Sequence, residues 1–183
     1  MESVTLVRRL HQHRQWVNRK LIAVVETLTP LQLHRTFEIG QGTIWRSLTH
    51  LYAAEYLWLD ALLGNEDPLT PGDVPGRLPG NQEGENGLTT LSELRTEWDR
   101  LDGRWQQYLS QLTSESLDQP VVKKSTSSGS GRPQTTTRAD VLLHVCTHAQ
   151  YTVAQVMNML RHSGFTGLPD PMLITLARAE FRD

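Results

Sequence analysis

Four stretches of this chain place apolar residues every three or four positions, and turn-rich segments separate them. A helix with 3.6 residues per turn gathers such positions into one stripe that must be buried against another element. Four long stripes with no strong strand signal point to an all-α four-helix bundle. The first stripe runs through Leu6, Leu10, His13, Val17, Leu21, Val24 and Leu28. Thr29-Pro30 ends it, because proline lacks an N–H and restricts the residue before it; Thr29 also suits the cap of a short turn with Pro30 in first place.

The second stretch starts near Thr43 and runs to Leu63, with Gly64 as its stop, and its stripe holds Ser47, His50, Leu51, Ala54, Leu57, Trp58 and Ala61. The third opens on Thr90-x-x-Glu93, a capping-box pattern, and continues through Leu91, Leu94, Trp98, Leu101, Trp105, Tyr108 and Leu112. The fourth, Thr137 to Arg161, is apolar on most sides, as expected of the most buried helix or of one that meets a partner. Gly164 and Pro169 end it, and Met172 to Phe181 reads as a short terminal helix.

Two connections are long. Residues 64–87 are rich in Gly, Pro, Asn and Asp and read as a surface connection of the kind that is often functional or mobile. Residues 120–136, where Val121-Val122 is followed by Lys, Ser, Thr and Gly, read as a small β-hairpin before the last long helix, or else as a disordered loop. Connections of this length permit a topology other than simple up-and-down. At 183 residues the chain is one domain, 1–183.

Composition narrows the function classes. Lys and Arg number 18 against 20 Asp and Glu, so no basic footprint for nucleic acid exists. No apolar run is long enough to span a bilayer, and Met1-Glu2-Ser3-Val4 lacks the basic start of a signal peptide. The single cysteine, Cys146, excludes an internal disulfide and suits a cytoplasmic location. It lies about 200° around the helix from His144 and is expected to pack as a small hydrophobe. Nucleophile-elbow, phosphate-loop, dinucleotide and His-Glu-x-x-His patterns are all missing.

The histidines carry the remaining signal. His144-x-x-x-His148 stacks two imidazoles on one face of the fourth helix, and His50 sits mid-stripe in the second. Imidazole is the commonest ligand for zinc, copper, iron and nickel, and bundle interiors are where helix-borne ligands converge. His13, in the first stripe, reads as a buried histidine with a hydrogen-bond partner. His11, His34 and His162 lie on polar stretches or near ends and read as surface residues.

Thr43-Ile44-Trp45-Arg46-Ser47-Leu48-Thr49-His50-Leu51, followed by Glu55-Tyr56-Leu57-Trp58, resembles the second helix of the DinB/YfiT-like superfamily. Arg138 to Gln155 resembles its last helix, which typically reads His-x-x-x-His-x-x-x-His-Arg-Gly-Gln, and the first helix with Trp16 and Asn18 fits less specifically. The resemblance implies a four-helix bundle holding a divalent metal, often nickel or zinc, on three histidines. Some members are transferases or isomerases that use a low-molecular-weight thiol. Carried over, the metal ligands are His50 and His148, while the third falls on Thr152, the following Arg-Gly on Val153-Ala154, and only Gln155 keeps the motif's end.

A neutral hydroxyl is a poor ligand beside imidazole, so the site is degenerate. Positions 144 and 152 are about 12 Å apart along the helix axis, which makes His144 a structural residue one turn above, or at most an additional ligand or pocket residue with Thr152 and Gln155. Two readings stay open: a metal-dependent transferase of thiols or hydrolase acting on a small molecule, or a non-catalytic bundle that has lost its metal and binds a small molecule or partner. The resemblance and the apolar fourth helix together imply a homodimer.

Overall fold

The structure of the protein, a computed structural model, describes residues 2–125 and 131–181. In chain order the elements are α1 (Ser3–Val25), α2 (Pro30–Leu33), α3 (Ile44–Leu62), α4 (Leu91–Ser110), β1 (Pro120–Lys124), β2 (Pro133–Thr137), α5 (Arg138–His162) and α6 (Leu173–Glu180). Four long helices form the bundle, with α5 packed along both α3 and α1, and α4 closing the other side. The strands pair antiparallel, Pro120 opposite Thr137 and Lys124 opposite Pro133, and the hairpin rests on α3 and α5. Its tip, residues 126–130, lies outside the described residues. Among the described residues no helix is long and apolar enough to cross a membrane.

Local chemistry sets the helix starts. Thr29 and Thr90 close capping boxes with Gln32 and Glu93, and Thr43 and Thr137 accept the backbone N–H of Arg46 and Asp140. One continuous core joins Val17, Leu21 and Val25 of α1 to Leu51 and Leu59 of α3, Leu94 and Trp105 of α4, and Leu142 and Leu160 of α5. Each such side chain contributes about 1.5–3 kcal/mol through removal from water.

The buried face of α1 differs from the stripe expected from its apolar residues. Leu6 is 51% exposed, whereas Val4, Val7, His11, Arg14, Asn18, Ile22 and Val25 face inward, a buried face that shares only His13, Val17 and Leu21 with that stripe. The expectation that His11 is a surface residue is therefore corrected: it is fully buried, its ring centroid 4.8 Å from that of Trp105 with the two planes tilted. Its Nε2–H donates to Leu142 O at 3.1 Å, and burial, with the nearby Arg14 charge, holds its pKa well below the ordinary value. His13 is buried with Nε2 on Pro171 O at 2.8 Å, and His34 and His162 are exposed, as expected.

The polar face of α1 is neutralised from α3 and α4. The guanidinium of Arg14 and the carboxylate of Glu55 pair in the interior, each about 1% exposed. Asn18 Nδ2 donates to Glu55 Oε1 at 2.7 Å, and Trp98 Nε1 donates to Glu55 Oε2 at 3.1 Å. Nearby, burial raises the Asp102 carboxyl to about 6, with Arg14 opposing the shift and Glu55 adding to it. A raised carboxyl favours folding while protonated, so its contribution is complete below its ordinary 3.8 and is lost as pH rises through about 6. Asp102→Asn is accordingly expected to be about 1–3 kcal/mol more stable than the parent near pH 7.5, and equal to it near pH 4, in urea unfolding at both values.

Candidate functional site

Thr43 and Thr137 fix the starts of α3 and α5, and hence the rotation that brings His50 and His148 to one another. Their ring centroids lie 5.2 Å apart, edge to face. One turn up α5, the His144 ring is 5.8 Å from His148 and 5.3 Å from the ring of Trp58. All three imidazoles line one cleft of about 280 Å³ between α3, α5 and the hairpin. His144, expected as a structural residue one turn above or as an additional ligand or pocket residue, is exposed and lines the mouth of this cleft.

The connection 64–88 is an ordered loop that closes over His50. Asp73 holds it together, its carboxylate accepting from Gly80 N at 2.8 Å and from Gln82 N at 2.9 Å. Gly80 lies flat on α3: a Cβ there would fall 2.5 Å from the backbone N and Cα of His50, and its φ of +86° favours glycine. This contact delivers the carbonyl of Pro79 to His50 Nδ1 at 2.9 Å. A carbonyl oxygen only accepts, so Nδ1 carries the proton and Nε2 is the ring's lone-pair nitrogen. Burial, reinforced by His50 and His144, lowers His148 to about 4, and burial also lowers His144. Both rings are neutral near pH 7 and able to donate lone pairs.

Imidazoles sharing one tetrahedral metal through about 2 Å nitrogen bonds have centroids about 5 Å apart, so the His50–His148 spacing fits a common ion. Yet among the described residues no group of three His, Cys, Asp or Glu side chains is gathered to hold a metal. The donor set suits a two-imidazole open site and not a closed cage. Thr152 is 2% exposed and does not line the cleft, and Gln155 packs on Gly40, where a Cβ would lie 2.3 Å from its Oε1. Cys146 is buried, its thiol pushed up to about 12 by desolvation, and packs as a small hydrophobe.

The sequence reading missed Lys123, which reaches the cleft from β1 with Nζ 5.2 Å from the Trp58 ring centroid. Strand alternation was the available signal, since Val121 and Lys123 share a face and both line the cleft.

The comparisons with known proteins agree with this architecture. A family model described as the DinB superfamily matches residues 13–156. Protein DinB of Bacillus subtilis (strain 168) is 24% identical over 161 residues, covering 88% of each chain. YfiT from Bacillus subtilis, a probable metal-dependent hydrolase with an unusual four-helix bundle topology, superposes with a TM-score of 0.63 at 20% identity, over 87% of this chain and 89% of its own. A DinB-like protein from Bacillus cereus ATCC 10987 superposes with a TM-score of 0.56 at 19% identity, over 88% of this chain and 94% of its own. With a bundle of this kind and a family match across most of its length, the chain belongs to the DinB superfamily.

Proposed function

We propose that this protein is a metal-dependent transferase or hydrolase in which His50 and His148 hold a divalent ion, nickel or zinc, in an exchangeable two-imidazole site. The observation that carries the reading is the His50 ring, tied through Nδ1–H to Pro79 O and lying 5.2 Å from His148. A ligand histidine is typically oriented by such a bond on its other nitrogen. When bound, the metal would lower the pKa of a water or of a low-molecular-weight thiol and so supply a nucleophile near neutral pH. His144, neutral and at the cleft mouth, is placed to take the proton released. Trp58, Leu57 and Val121 form the apolar wall against which a small electrophilic substrate would rest.

The competing reading, a cleft that binds a small molecule without metal, draws on the buried threonine at position 152 and on the absence, among the described residues, of a three-ligand group. Metal analysis separates the two. Protein purified without a nickel column and loaded with nickel or zinc is expected to retain about one equivalent, weakened at least about tenfold by His50→Ala or His148→Ala and only about two- to threefold by His144→Ala. Retention below about a tenth of an equivalent after loading overturns the metal reading and leaves the second.

A further inference from the structure

Among the described residues, the side chains lining the His50–His148 cleft include no carboxylate, but they include three histidines and two lysines. The two lysines differ. Lys124 is a half-buried strand residue whose ammonium is paired with Asp67 at 2.6 Å. Lys123 is only 7% exposed, with its ammonium beside the Trp58 ring and donating to Lys124 O at 3.0 Å. An ammonium presents three N–H donors, and in a partly desolvated cleft its charge acts strongly on whatever enters. Asp67 is the acidic group whose charge reaches Lys123, and it stands outside the cleft wall, bonded to Lys124.

The rest of the lining is largely apolar and aromatic, with Ala54, Leu57 and Trp58 from α3 and Val121 from the same strand face as Lys123. Gln134 and Thr136 of β2 add polar groups beside Lys123. A buried cation, polar neighbours and an apolar lining together select a ligand that is negative at one end and apolar at the other. Burial lowers the Lys123 pKa from its ordinary value, a desolvation effect that a bound anion reverses.

We propose that the cleft binds a small organic anion, a carboxylate attached to an aromatic or apolar body, with Lys123 as its charge partner and Trp58 as part of its apolar wall. This rests on the reading of the cleft as the substrate site, although it requires no metal there. Lys123 is then a specificity-determining residue, carried into the site by a hairpin built for that position.

Benzoate and its neutral isostere benzamide provide the test, titrated into metal-stripped protein and followed by the indole N–H resonances and by calorimetry. Benzoate is expected to bind at least about tenfold more tightly than benzamide. Lys123→Met should erase that preference by weakening benzoate alone, Lys123→Arg should keep it, and Lys124→Met should keep it because its charge is engaged by Asp67. Melting temperatures of all three variants within a few degrees of the parent establish that each is folded. Equal affinity for the two probes, no binding of either, or a preference that survives in Lys123→Met overturns the inference. Metal loading is measured on the same preparation, so failure to retain nickel or zinc counts against the metal reading alone.

Discussion

Arg14→Met and Glu55→Leu, made singly, are each expected to cost about 3–5 kcal/mol in urea unfolding, while the double variant recovers most of that loss. Each single change leaves an uncompensated charge in an interior where both partners are about 1% exposed. Glu55 is the more demanding partner, because Asn18 and Trp98 also donate to its oxygens. Arg14→Met leaves a carboxylate with two neutral donors, and Glu55→Leu leaves a guanidinium facing the Trp105 ring 5.0 Å away. The double variant removes both charges and puts comparable apolar volume in their place. A domain of this size is stable by only about 5–15 kcal/mol, so each single variant is near the edge of folding. Additive losses in the double variant would show that the pair is not an electrostatic unit.

Gly80→Ala is expected to lower nickel or zinc affinity by about 10–100-fold, the range seen when the partner orienting a ligand histidine is lost. Its new methyl would meet the backbone of His50 and Thr49 at 2.5 Å, atoms fixed inside α3, so the loop must lift and take the Pro79 carbonyl with it. Gly76→Ala is the control. It carries the same backbone strain, with φ at +76°, but a Cβ there meets nothing within 4 Å. A readout independent of metal is the His50 imidazole nitrogen spectrum, in which the protonated Nδ1 of the parent should give way to a mixed tautomer in Gly80→Ala only. Equal behaviour of the two variants would show that the loop does not orient His50.

The helices were legible because each carries its own signals. Thr90 and Glu93 form the capping box expected of them, Gly64 takes the positive φ that stops α3, and Pro30 opens the turn capped by Thr29. The hairpin is present, paired as Val121-Val122 suggests. The inward face of α1 was not legible, since a hydropathy stripe counts Arg14, His11 and Asn18 as solvent-facing. Their burial depends on Glu55, Leu142 O and the Trp105 ring, which come from three other helices.

At the site, the amino-acid order by itself determined that His144 and His148 share a helix face, that His50 lies mid-helix, and that position 152 lacks an imidazole. These follow from a 1.5 Å rise and 100° per residue, whatever surrounds the helix. Only the tertiary structure decided that His50 meets His148, that His144 opens onto the same cleft, and that Lys123 and Pro79 complete it. Those contacts join segments 29 to 98 residues apart in the chain, as for Pro79 with His50 and His148 with His50. Helix periodicity does not reach across such separations; packing of α5 against α3, and of loop and hairpin over both, brings them together.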